Sequence, residues 1–145
     1  MSEVVESAPA KLNLRLRVGP PRPDGYHLVE SLMVTLAGLE DTVVVRRAPA
    51  RTVRCHGLDE DLPARDNLAW RALDALAREA GRELPPLAVE IDKRIPARAG
   101  LGGGSSDAAA TLRAADRLLG LGLGRGRLER AAAAVGSDVP FLVAG

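Results

Sequence analysis

At 145 residues the chain is long enough for one domain with a sizeable core, and its single Trp, Tyr and Phe require that core to be aliphatic. A formal net charge of +1 excludes the broad basic field of nonspecific nucleic-acid binding, and a lone cysteine, Cys55, excludes an internal disulfide and gives no support for a thiolate metal site. No apolar run reaches membrane-spanning length and the N-terminus lacks a signal peptide's basic and apolar regions, so the expected setting is cytoplasmic, without membrane or nucleic-acid partners.

In chain order, residues 10–18 alternate, with Leu12, Leu14, Leu16 and Val18 on one face and Lys11, Asn13, Arg15 and Arg17 on the other. That is the pattern of a half-buried strand with its leucines inward. Residues 19–25 are too rich in Pro and Gly for anything but a loop, and a strand resumes over 29–36. Two more strands, 42–46 and 52–55, flank a turn near Pro49, and Cys55 reads as a small apolar strand residue. Asp66 is the expected N-cap of a helix over 67–80, with Ala69, Ala72, Leu73, Leu76, Ala77 and Ala80 on one face and Gly81 after its end. A strand over 87–91 precedes four glycines in five positions, and helices follow over about 105–119 and 128–135. Several strands precede most of the helices, so the expected fold class is α+β rather than a regular βαβ repeat. Residues 139–145 are apolar, as if entering a further buried element.

The glycines at 100, 102, 103 and 104 let the main chain approach an anion closely, and the helix opening near Ser105 offers free amides to the same target. No Lys follows as a P-loop requires, and Ser105 stands where a dinucleotide fingerprint needs its third Gly. What remains is a long anion-binding loop, suited to phosphate, with a flexible Gly/Ser linker as the alternative. The Ser105 and Ser106 hydroxyls could cap the helix, bind phosphate oxygen or ligate Mg²⁺, and spacing alone does not separate these roles.

Phosphoryl transfer needs charge stabilisation and an oriented acceptor hydroxyl, for which Lys11 and Asp138 are the candidates. Lys11 and Asn13, two residues apart on a strand, can address one ligand; spacing alone favours a solvated lysine. Asp138, between Gly136 and Pro140, reads as a base or as a helix cap, and taken alone the cap fits better. In Asp24-Gly25-Tyr26-His27, Tyr and His suit recognition of a nucleobase, and an ordinary Asp-Gly turn accounts for the same residues. His56 adjoins Cys55, but neighbours on a strand point to opposite faces, so no metal site is expected there.

Four segments, Pro9-Ala-Lys-Leu-Asn-Leu14, Asp24-Gly-Tyr-His27, Ile95 through Ala109 and Gly136-Ser-Asp-Val-Pro-Phe141, resemble in order and spacing the GHMP small-molecule kinases. The first two narrow the resemblance to members acting on a cytidyl-linked sugar alcohol. The resemblance implies a ribosomal-protein-like two-layer fold and an enzyme that uses ATP with Mg²⁺. It implies phosphorylation of the 2-hydroxyl of a cytidine-diphosphate-linked methylerythritol, in isoprenoid precursor biosynthesis. Asp138 would take the acceptor's proton while Lys11 keeps that Asp ionised and oriented. Pro96, Ala97, Arg98, Ala99, Gly100, Leu101, Gly102, Gly103, Gly104, Ser105 and Ser106 would wrap the ATP phosphates, with Asn67 near the adenine. Tyr26 and His27 would recognise cytosine, with Asn13 assisting, and no residue is assigned as a metal ligand. It also implies a two-domain enzyme of which residues 1–145 form the N-terminal, ATP-binding domain, the C-terminal domain being absent from this chain. Other GHMP kinases acting on homoserine, mevalonate or galactose, and a noncatalytic nucleotide-binding module, are the alternatives. An RNA-binding domain is weakened by the near-neutral charge and few aromatics.

Overall fold

The structure, a computed structural model, describes residues 1–57 and 63–145, without the side chains of residues 16 and 27–30. Strands β1 (Glu3–Pro21), β2 (His27–Arg47) and β3 (Thr52–Gly57) are followed by a 3₁₀ turn (Ala64–Asp66), helix α1 (Leu68–Ala80), strand β4 (Leu87–Lys93) and helices α2 (Gly103–Leu119), α3 (Gly124–Val135) and α4 (Val139–Ala144). The sheet order is β1-β2-β4-β3, with β1–β2 and β2–β4 antiparallel and β3–β4 parallel. This is the expected α+β class, with a mixed sheet packed against helices. It contains one parallel crossover, β3–α1–β4, which a parallel pair requires because a short turn cannot bring the chain back to its start. Among the described residues no helix is long and apolar enough to cross a membrane.

Side chains meet from both layers in an aliphatic core. Val43, Val45, Val89 and Ile91 of the sheet face Leu73 and Leu76 of α1 and Leu112 of α2, all at most 1% exposed. Ala108, Ala109, Ala114 and Ala115 of α2 are fully buried, and their small size lets the helix lie close to its neighbours.

The strands expected over 29–36 and 42–46 are one strand, β2. Its pairing with β1 shifts between Pro9 and Lys11, where Gly38 of β2 takes a φ of +84°. The intervening residues of β2 are an irregularity inside a continuous ladder, and they read in sequence as a break.

The same irregularity overturns the expected faces of 10–18. Val4, Ala8 and Ala10 point inward by alternation, and across the shift the next residue, Lys11, is also buried at 5% exposure. A second shift, between Asn13 and Arg15, pairs Arg15 with Leu32 after Leu12 with Val34, so a charged and an apolar residue of β1 follow each other on one face. Leu12, Leu14 and Val18 are exposed. Beyond Lys11 on β1 and before Asp41 on β2 no described residue is buried, because this arm of the hairpin runs past the helical layer.

Helix ends also differ from expectation. Asn67, rather than Asp66, caps α1: its Oδ1 accepts from Ala69 N at 2.9 Å, while Asp66 closes the 3₁₀ turn. Gly81 ends α1 in the left-handed conformation, as its position predicts. α2 begins at Gly103, two residues before the expected start, with left-handed Gly102 as its cap, and α3 begins at Gly124 rather than Leu128. Glycine propensity argues against both starts, and packing of the helices that follow overrides it. β4 runs two residues past its expected end, to Lys93.

Candidate functional site

Where β4 ends and α2 begins, the chain folds around a cavity of about 380 Å³. All residues from Pro96 through Ser105 line it, together with Cys55, Asp66, Asn67, Leu68, Lys93 and Asp107. The first intrahelical bond of α2 runs from Ser106 N to Gly102 O at 2.9 Å, so the amides of Gly103, Gly104 and Ser105 are left over at the cavity wall. Such amides and the helix dipole behind them favour an anion. The cradle is fixed to the sheet by Lys11 N, which donates to Leu101 O at 2.8 Å. Arg98, in the same wall, holds a φ of 58°, an uncommon conformation for a residue with a side chain.

Lys11 is the hinge between this cavity and Asp138. Its amine stands 3.3 Å from Asp138 Oδ2, with Lys11 7% and Asp138 34% exposed at the side chain. Asp138 occupies the N-cap position of α4, yet its side chain makes no capping bond. The Asp138 carboxylate is turned to Lys11, which the cap reading does not explain.

Beneath the cradle lies a charged cluster that the sequence did not disclose. Lys93 Nζ donates to Asp41 Oδ2 at 2.7 Å and to Asp107 Oδ2 at 2.6 Å, and Asp41 Oδ1 accepts from the amides of Arg94 and Ile95 at 2.6 and 2.9 Å. The Lys93 amine comes so near Gly103 that a Cβ there would lie 3.3 Å from it. Burial pushes Asp107 up to about 8, the Lys93 ammonium opposing and the Asp41 carboxylate adding to the rise. For Asp41 burial also acts upward, but hydrogen bonding to Asp107, Lys93 and the two amides outweighs it and leaves the carboxyl below its ordinary value. Burial lowers Lys93, and the two carboxyls more than restore it. Strand alternation carried two residues past Ile91 places Lys93 inward, and helical spacing from Thr111 places Asp107 inward; these are the signals that could have found them.

Other expected site residues fare differently. Asn67 lines the cavity and its Nδ2 lies 3.4 Å from Cys55 Sγ, so Cys55 is an exposed wall residue rather than a packed apolar one. Ser106 is buried behind the wall, its Oγ without a hydrogen-bond partner. Asn13 lies on the hairpin arm, accepting from Ser31 Oγ at 2.9 Å. Tyr26, at the tip of that hairpin, is 74% exposed, and its amide donates to Asp24 Oδ1 at 3.1 Å. The structure thus gathers the cradle, Asn67, Lys11 and Asp138, and leaves Asn13 and Tyr26 outside the cavity lining; the His27 side chain lies outside the described atoms. His56 pairs with Glu90, and among the described residues no group of three or more His, Cys, Asp or Glu is placed to hold a metal.

Known proteins resemble this chain in sequence and in fold. The 4-diphosphocytidyl-2-C-methyl-D-erythritol kinase of Paracidovorax citrulli is 46% identical over 138 residues, 95% of this chain and 47% of that protein. The protein of the same name from Anaeromyxobacter sp. is 51% identical over 138 residues, 94% of this chain and 44% of its own length. The chain spans about half the length of the curated relatives it matches. A crystal structure of 4-(cytidine 5'-diphospho)-2C-methyl-D-erythritol kinase matches with a TM-score of 0.77 at 37% identity, covering 98% of this chain and 49% of that one. A homoserine kinase from Cytophaga hutchinsonii shares the fold at a TM-score of 0.69 and 20% identity, covering 100% of this chain and 43% of that one. A family model described as GHMP kinases N terminal domain matches residues 67–145, from the cap of α1 through the cradle to the end of α4, and the chain belongs to that family.

Proposed function

We propose that this chain carries the phosphate cradle and the acid–base pair of an ATP-dependent kinase that phosphorylates the 2-hydroxyl of a cytidine-diphosphate-linked methylerythritol, a step in isoprenoid precursor synthesis. Residues 1–145 act in this reading as the N-terminal, ATP-binding domain of a protein of the relatives' length, working in the cytoplasm on small molecules. The observation that carries it is the position of Lys11, whose stem packs on Gly102 of the cradle and whose amine pairs with Asp138 at 3.3 Å. One residue thereby ties the phosphate site to the carboxylate that would meet the acceptor.

Most of the catalysis in phosphoryl transfer is positioning and electrostatic stabilisation. The amides of Gly103, Gly104 and Ser105 hold phosphate oxygens, with Pro96 through Leu101 and Ser106 shaping the cradle and Asn67 at the nucleoside end. Asp138 accepts the proton of the acceptor hydroxyl. The Lys11 ammonium keeps that carboxylate ionised and oriented, which also weakens it as a base, so the two act as an electrostatic unit. Tyr26 and His27, with Asn13, recognise the cytidine portion from the hairpin arm.

ATP chemistry implies Mg²⁺ as well. The unpartnered oxygens near the cradle, Ser106 Oγ and Asp107 Oδ1, are buried, and the Lys93 ammonium already binds the Asp107 carboxyl. These residues do not form an open cation site, so the ion is taken as part of the nucleotide complex and no step is assigned to it.

Turnover is tested on a protein of the relatives' length that carries this sequence, by ADP release from ATP with the cytidyl-linked acceptor. Asp138→Asn should remove activity by about 10²-fold or more; normal turnover by that variant would overturn the assignment. Homoserine or mevalonate accepted in place of the cytidyl compound would move the reading to another GHMP kinase.

A further inference from the structure

Lys11 sits on β1 and Asp138 at the start of α4, and the two elements are joined by a single side chain of α2. Arg113 Nη2 donates to Ser7 O at 3.0 Å and Arg113 Nε lies 3.3 Å from Glu6 Oε2, both acceptors belonging to β1. Its Nη1 donates to Leu142 O at 2.8 Å, in the last turn of α4. Ser7 is four residues before Lys11. Leu142 is one helical turn after Asp138, and its amide donates to Asp138 O at 3.3 Å. Glu6 is held in turn by Arg117 Nη1 at 2.6 Å, so the acceptor on the β1 side is fixed from α2 as well.

We propose that Arg113 is a positioning residue that sets the Lys11–Asp138 pair by clamping α4 onto β1. The guanidinium suits this because its donors lie in one rigid plane, and three of them here reach acceptors on two elements. An ammonium has no such fork. α4 has only six residues, and Val139, Leu142 and Val143 pack it into the core; the bonds of Arg113 are a polar constraint that ties its last turn to β1. The catalytic meaning of the clamp rests on the kinase reading; the clamp itself does not.

A double-mutant cycle on the 145-residue protein tests it. Lys11→Met, Asp138→Asn and the double variant are unfolded in urea in the native background and in Arg113→Gln and Arg113→Lys backgrounds. The expected result is a non-additive cycle with Arg113 present, an additive one in Arg113→Gln and an intermediate one in Arg113→Lys. An Arg113 with only a structural role lowers the urea midpoint in every member of the cycle and leaves the coupling intact, which would overturn the proposal. If Arg113→Gln does not fold, undiminished coupling in Arg113→Lys overturns it and diminished coupling supports it. In the turnover assay, Arg113→Gln should lower kcat about tenfold or more with KM for ATP within about twofold. An inactive native protein whose Lys11–Asp138 coupling is nonetheless lost in Arg113→Gln would refute the kinase reading and leave the clamp standing.

Discussion

The Lys11 side chain lies flat against Gly102: a Cβ at that glycine would stand 2.6 Å from Lys11 Cγ and 2.9 Å from Cε. Gly102 also has a φ of +68°, so Gly102→Ala adds a crowded methyl to a strained backbone. Gly100, at +73°, has nothing within 4 Å of such a Cβ and isolates the backbone cost. Gly100→Ala should lose about 1 kcal/mol, and Gly102→Ala about 2 kcal/mol or more, in urea unfolding. Only the second should also abolish the Lys11–Asp138 coupling.

Lys93→Met leaves the Asp41 carboxylate fully buried with its cation gone, although the Arg94 and Ile95 amides still donate to it. Removal of one partner from a buried pair costs about 3–5 kcal/mol, and a loss of that order is expected in urea unfolding. A loss below about 1 kcal/mol would show that the amides and Asp107 satisfy Asp41 without Lys93.

Asp107 gives the folded protein a characteristic pH dependence. Burial sets its carboxyl at about 8 in the fold, against an ordinary value of 3.8. Between these values the folded state keeps a proton that the unfolded chain has released, so this group's contribution to stability falls as pH rises through the window and levels off above about 8. Asp41 has the opposite sign: its contribution is present above 3.8 and fades as pH falls through its lowered value. Asp107→Asn should therefore gain on the native protein progressively from pH 5 to about 8 in thermal unfolding. A constant difference across that range would place the Asp107 proton elsewhere.

Capping separates two adjacent residues. Asn67→Ala removes the bond to Ala69 N and should cost about 1 kcal/mol, while Asp66→Ala, with no such bond, should stay within about 0.5 kcal/mol. Amide exchange at Ala69 and Trp70 would localise the loss to the first turn of α1.

Local sequence carried the cradle, the helical faces and the end of α1 because glycine clusters and 3.6-residue spacing report local geometry directly. Lys11 was harder. Its neighbours alternate correctly, and only an irregularity in the β1–β2 pairing, governed by residues more than twenty positions away, turns it inward. The Asp41–Lys93–Asp107 cluster failed for a related reason: its members come from β2, β4 and α2, and no single stretch shows that they meet. Asp138 reads in sequence as a cap or a base, and its ion pair with Lys11 is visible only in the fold. Leu12, Leu14 and Val18 misled because alternation registers neither the shifts in pairing nor whether anything covers the face, and the side chain of Leu16 lies outside the described atoms.

Cys55 gives the cavity a built-in observation point. It is the chain's sole cysteine, it is exposed on the cavity wall, and Asn67 approaches its sulfur. Burial and the neighbouring Asp107 charge raise the thiol above its ordinary value, so alkylation calls for mildly alkaline conditions. A fluorinated tag attached there would give one resonance, from one place, and a shift on adding nucleotide would test whether the cavity takes it, in a protein with almost no aromatic signal of its own.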